Sequence, residues 1–223
     1  MLVALWIASA TAACRSDREP KAVGEASAHA ATAEPAAQAA PKVVFLGDSV
    51  AAGIHLAESD AFPAVLQRKL AARGVPFQLI NAGVSGDTTA GGLRRVDWVL
   101  KQQPAIVVVE LGANDGMRGI APAEIEKNLR GILEKIAATK AKPLLLGMRI
   151  PPSFGADHVN EFTAIYDRLA DELDVPYVPF FMKGVAAVPE LNLEDGIHPT
   201  VQGHVLLAAN VEDALLKLLQ QID

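Results

Sequence analysis

Four short segments carry residues able to perform nucleophilic chemistry. Gly47-Asp48-Ser49-Val50 offers a hydroxyl just after a glycine that permits a tight turn. Asp195-Gly196-Ile197-His198-Pro199 sets a carboxylate and an imidazole three residues apart. In a loop these two can hydrogen-bond directly, which fixes the imidazole tautomer and stabilises its cation. Gly83, within Asn81–Thr88, can bring a backbone N–H to a substrate oxygen with no side chain between, and Asn114, within Gly112–Gly116, offers side-chain N–H donors. Each alone has a plain structural alternative: an N-capping serine, a loop glycine, a turn asparagine, and an Asp-x-x-His that pairs on the surface or ligates a metal. Together they make the inventory of acyl transfer: Ser49 as nucleophile, His198 as base, Asp195 to orient the base, and Gly83 and Asn114 as oxyanion donors. No further His, Cys or Asp cluster has ligand spacing, so no metal is expected.

The elements around these segments alternate. Short apolar runs at Val43–Leu46, Phe77–Asn81, Ala105–Leu111, Pro143–Met148 and, more weakly, Tyr177–Phe180 predict strands. Helical periodicity predicts helices over Ala61–Arg73, Ile125–Ile136, Ala156–Leu173 and Val201–Leu219, and Asp87 or Thr88 can cap a further one. Strands that are apolar throughout, separated by helices, imply a doubly wound parallel sheet of about five strands inside a three-layer α/β/α sandwich. In such sheets ligands bind beyond the carboxyl ends of the strands, where the four segments fall.

The chain has 223 residues, 51% of them hydrophobic and 21% charged, which suits one domain with a sizeable core. A net charge of −6 without a Lys/Arg stripe argues against nucleic acid as a partner. The single cysteine, Cys14, excludes an intramolecular disulfide. Residues 2–13 are uncharged and mostly apolar, too short a run to span a bilayer (about 20 residues) but of the size of a signal-peptide core. Thr11-Ala12-Ala13-Cys14 resembles a bacterial lipobox, although Thr11 stands where Leu is usual and no Lys or Arg precedes the apolar stretch. A plain secretory signal and an incidental apolar N-terminus are the alternatives. Residues 15–41, rich in Ala, Glu, Pro and Ser, read as a disordered tether, and residues 42–223 as the folded domain. The expected location is extracytoplasmic: the periplasm or outer membrane, tethered through a lipidated Cys14, or secreted.

The four segments resemble the conserved blocks of the SGNH (GDSL) hydrolase family, named for Ser, Gly, Asn and His, here Ser49, Gly83, Asn114 and His198, with Asp195 in the matching Asp-x-x-His. Ser85–Thr88, Val109–Gly119 and Arg149–Pro152 are similar to the bacterial arylesterase and thioesterase–lysophospholipase subgroup. The resemblance implies a serine esterase for acyl esters, thioesters or lysophospholipids, using no cofactor. It also implies an oxyanion hole of Ser49 N–H, Gly83 N–H and the Asn114 side chain. Met117–Pro122 is a candidate wall for an acyl groove, and Asp48, Met117, Ile120, Ile150 and Pro151 are candidate substrate contacts.

Two other functions fit less well. A carbohydrate O-deacetylase needs a saccharide cleft, often lined with aromatics, which make up only 5% of this chain. A non-catalytic lipid- or glycan-binding protein on the same fold would be expected to have lost Ser49, His198 or an oxyanion donor. His55, His158 and His204 have no charged partner at a useful spacing, and His29 lies in the tether. Trp98 reads as a packing residue and Trp6 as part of the signal peptide.

Overall fold

The computed structural model describes residues 40–222. Cys14, Trp6, His29, the stretch read as a signal peptide and nearly all of residues 15–41, read as a tether, lie outside the described residues. Five strands, β1 (Lys42–Gly47), β2 (Gln78–Gly83), β3 (Ile106–Glu110), β4 (Lys142–Leu146) and β5 (Tyr177–Val178), form one sheet in the order β2-β1-β3-β4-β5. Every pairing is parallel. The helices are α1 (Ser49–Ala52), α2 (Phe62–Ala72), α3 (Thr89–Leu100), α4 (Ala113–Met117), α5 (Pro122–Ala137), α6 (Ala156–Leu173) and α7 (Val201–Leu219). Packing of α2 on α7 makes one helical layer, and α3 on α5 on α6 makes the other. This is the expected three-layer sandwich. Among the described residues no helix is long and apolar enough to cross a membrane.

The sequences of the strands explain their places. Val43–Gly47 of β1 and all of β3 are buried, as strands covered on both faces must be. β2, Gln-Leu-Ile-Asn-Ala-Gly, is half-exposed and sits at one edge. At the other edge β5 pairs only through Tyr177 and Val178, although an apolar run to Phe180 predicts more. Pro179 follows, and without an N–H it cannot extend the ladder. Ile125, Leu129, Ile132 and Ile136 form the buried stripe of α5, and Phe162, Ile165, Tyr166 and Leu169 that of α6. On the opposite layer Phe62 packs edge-on to Phe45, with centroids 5.5 Å apart, and against Phe181 at 4.9 Å.

The chain leaves β1 for one side of the sheet and returns to the other side at β3. Between two such strands the crossover helices diverge to opposite faces and open a crevice beyond the strand ends. Register makes that crevice level: Gly47 pairs with Gly83 on one side and Glu110 on the other. The residues just past these three positions are therefore brought side by side.

Candidate active site

Ser49 begins α1, immediately past the end of β1, and is 8% exposed. The turn that delivers it needs glycine at Gly47, where a Cβ would stand 2.5 Å from both Ala51 Cβ and a carboxylate oxygen of Glu110. Asp48 caps the short helix, its Oδ1 accepting from Val50 N at 2.9 Å. Glu110, fully buried, accepts from Asp48 N at 3.1 Å and Ala51 N at 3.2 Å through Oε2. Its Oε1 has no partner among the described residues. Burial first, then the charge of Asp48, pushes the Glu110 carboxyl well above the ordinary range; burial raises Asp48 to about 6.

His198 comes from the far end of the chain. Its Nε2 lies 2.9 Å from Ser49 Oγ and its Nδ1 2.6 Å from Asp195 Oδ2. The other oxygen, Asp195 Oδ1, accepts from Ile197 N at 2.8 Å and His198 N at 2.9 Å. The loop closes tightly because Gly196 takes a φ of +69°, left-handed backbone that glycine adopts without strain. Hydrogen bonding to His198 is the largest of the effects that hold the Asp195 carboxyl well below the usual carboxylate range. With Asp195 ionised, Nδ1 carries the imidazole proton and Nε2 is left to accept from the serine hydroxyl. Two main-chain bonds, Leu193 N to His198 O at 2.7 Å and Thr200 N to Leu191 O at 2.9 Å, pin the loop at its base.

Asn114 lies in α4, past the end of β3. It donates one Nδ2 hydrogen to Asp48 Oδ2 at 3.0 Å, which leaves the second for an incoming group. The preceding turn is held by Tyr166, whose hydroxyl donates to Leu111 O at 2.9 Å and stands where a Cβ of Gly112 would be, 2.1 Å away. Asp115 ties α4 to the start of α3 through Thr89 Oγ1 at 2.6 Å and Thr89 N at 2.9 Å.

Gly83 ends β2 so close to α1 that a Cβ would meet Ala52 N at 2.3 Å. Its N–H donates to Asn81 Oδ1 at 3.0 Å, while Asn81 Nδ2 donates to Ala51 O at 2.8 Å. The predicted donor is thus engaged by a side chain two residues back. One guanidinium joins the ends of β1 and β2: Arg95 donates to Gly47 O at 2.9 Å and Ala82 O at 2.5 Å, and pairs with Asp87 at 2.7 Å. That occupies Asp87, and it is Thr88 that caps α3, accepting from Gly91 N.

Ser49, Asn114 and His198 all line a cavity of about 410 Å³. Met117, Ile150 and Pro151, expected to meet substrate, line it too. Asp48 borders it but is 1% exposed, with one carboxylate oxygen held by Val50 N and the other by Asn114, so it serves the architecture of the turn. Ile120 and Gly83 are not among the lining residues. Met148, Phe180 and Met182 are, and sequence reasoning missed them, as it missed Glu110, Tyr166 and Arg95. Trp98, read as a packing residue, is 53% exposed on α3. Of the histidines given no role, His204 is buried, accepts from Phe62 N at 3.0 Å, and is pushed by burial down to about 4, so it stays neutral. The ring of His55 stands edge-on to that of His198, centroids 6.2 Å apart. Among the described residues no group of three or more His, Cys, Asp or Glu is placed to hold a metal ion.

Residues 45–206 match the GDSL-like Lipase/Acylhydrolase family. Esterase TesA of Pseudomonas aeruginosa is 41% identical over 182 residues, 81% of this chain and 90% of that protein. Thioesterase 1/protease 1/lysophospholipase L1 of Escherichia coli K12 is 42% identical over 187 residues, 83% of this chain and 86% of that protein. A crystal structure of TesA superposes with a TM-score of 0.77 at 40% identity, covering 79% of this chain and 99% of that one. With the family matched over most of the chain and the sheet shared with a solved relative, the protein belongs to the GDSL-like lipase/acylhydrolase family and is an ester hydrolase.

Proposed function

We propose that the protein hydrolyses acyl esters through an acyl-enzyme on Ser49. The observation that carries this reading is the chain of contacts Ser49 Oγ, His198 Nε2, His198 Nδ1 and Asp195 Oδ2, at 2.9 Å and 2.6 Å, opening on an apolar cavity. His198 takes the hydroxyl proton as Ser49 Oγ attacks the acyl carbon, and Asp195 stabilises the imidazolium. The developing oxyanion is received by Ser49 N–H, at the first turn of α1, and by the free N–H of Asn114. Gly83 N–H is the third donor, its hydrogen shared between Asn81 Oδ1 and the oxyanion. His198 then protonates the departing alcohol or thiol, and a water activated by the same ring releases the acid.

The methionine, isoleucine and proline side chains of the cavity suit an acyl chain, which favours this reading over deacetylation of a saccharide. The names of the two relatives point to oxyesters, thioesters and lysophospholipids as the substrate range. A serine-directed phosphonate should label the protein at Ser49 and leave Ser49→Ala unlabelled; label on any other residue would refute the assignment. Export, and anchoring through a lipidated Cys14, belong to the same proposal and rest on the sequence of residues 2–14. Incorporation of labelled palmitate that Cys14→Ser abolishes is the outcome expected of the native chain.

A further inference from the structure

A second cavity, of about 380 Å³, adjoins the one at Ser49 and is lined by Arg149, Val178, Pro179, Phe180, Lys183 and Asn210. Arg149 and Phe180 line both cavities. The Arg149 guanidinium lies over the Phe180 ring, its Cζ 4.8 Å from the centroid, which holds the charge at the boundary between the two. No acid lines the second cavity, and among the described residues neither Arg149 nor Lys183 has a carboxylate within 4.0 Å. Arg95, Arg130, Arg168 and Lys135, by contrast, each face one. Asn210 fixes the segment that carries Lys183 by donating to Phe181 O and Lys183 O, both at 2.9 Å.

We propose that Arg149 and Lys183 form a subsite for a phosphate group, so that the preferred substrates are acyl esters or thioesters whose leaving group bears phosphate. This rests on the reading of Ser49 as the acylated hydroxyl. A guanidinium fork takes two phosphate oxygens and an ammonium adds a point charge, and stacking on Phe180 limits the side-chain freedom that binding would cost Arg149. An amphiphile matches the pair of cavities: an apolar chain in the first, an anionic head in the second. A neutral ester leaves the cationic wall unused. Two leaving groups share the chemistry, the glycerophosphate of a lysophospholipid and the phosphorylated thiol of an acyl-CoA.

Binding of octyl phosphate and of octanol to Ser49→Ala protein, measured by calorimetry, tests the subsite without turnover. Octyl phosphate should bind about tenfold tighter than octanol, or more, and salt should weaken it. Lys183→Met and Arg149→Met should each remove most of that advantage. Lys183 and Arg149 are both exposed, and circular dichroism checks that the variants keep the fold. Octyl phosphate binding no tighter than octanol, or binding indifferent to both substitutions, overturns the proposal. Turnover of a monoacylglycerol, the matching acyl glycerophosphate and the acyl-CoA then identifies the source, by which kcat/KM falls in Lys183→Met relative to the neutral ester. If octyl phosphate binds as expected while wild-type protein cleaves none of the three, the subsite stands and the reading of Ser49 as the hydroxyl acylated by these substrates is refuted.

Discussion

Replacing Glu110 by glutamine tests whether the turn that presents Ser49 is held by a neutral acid. Glu110 is fully buried, one oxygen taking the N–H groups of Asp48 and Ala51 and the other without a partner among the described residues. An ionised Oε1 there is a bare charge in a low-dielectric interior beside Asp48, so the folded protein binds this proton more tightly than the unfolded chain does. The sign follows. Stability from this group is full below its unfolded pKa, 4.5, and is lost as pH rises toward the folded value. The loss is at most about 1.4 kcal/mol per pH unit. Glutamine keeps an oxygen for the two N–H groups and cannot ionise. The unfolding free energy of Glu110→Gln relative to wild type should therefore rise between pH 5 and pH 8, by at most about 4 kcal/mol. Glu110→Ala, which orphans both donors, should lose about 1–3 kcal/mol for each at every pH. Urea denaturation at four pH values measures the difference, with p-nitrophenyl ester hydrolysis as a check that Glu110→Gln keeps its active site. A difference that does not vary with pH would show that the fold does not hold the Glu110 proton more tightly than the unfolded chain does.

Asn114→Ala should lower kcat by about 10²–10³ with little change in KM, measured on a p-nitrophenyl ester; an unchanged kcat removes Asn114 from the oxyanion hole. Gly83→Ala drives a Cβ against Ala52 N at 2.3 Å and should destabilise the fold by more than about 3 kcal/mol, read as a lower Tm. Because its partner His198 holds the Asp195 carboxyl below the ordinary range, stability from that carboxylate is present above its unfolded pKa, 3.8, and is lost only as pH falls below it. Relative to Asp195→Asn, wild type should therefore lose stability as pH falls from about 4 to about 2, and a difference in urea midpoints that stays constant over that range would contradict the assignment.

The sequence made the sheet legible because β1, β3 and β4 are runs long and apolar enough to exclude other elements, and the helices α6 and α7 because their periodicity is unbroken. The short helix α4 was not legible, since five residues set no period. Ser49, Asn114 and His198 could be picked out because turns rarely combine a hydroxyl, an amide and an imidazole beyond strand ends. Glu110 gave no such signal: it reads as the polar end of an apolar strand, and its role depends on a register that pairs it with Gly47. Arg95 is hidden for the same reason, its acceptors being carbonyl groups that any residue supplies. Gly83 reads as a glycine able to bring its N–H to a substrate oxygen, but no sequence pattern announced that Asn81 would claim that N–H.

The loop that carries Asp195 and His198 is anchored to α7 and to its own base, joined across by the bridge Asn192 to Pro199, while Ser49 and Asn114 stand on the central strands. These two halves of the site should therefore open as different cooperative units. The serine half opens only with the sheet, whereas the exposed loop needs to break a handful of hydrogen bonds to swing His198 away. On warming, the protein should pass through a temperature interval in which catalysis has gone and the circular dichroism of the sheet has not, and cooling should restore it. Amide exchange would register that interval first at Leu193, Gly196 and His198, long before the amides of β1 and β3. Thermal tolerance of the enzyme is then set by eight residues near its end, and a cross-link or a proline that stiffens them raises the working temperature without touching the core.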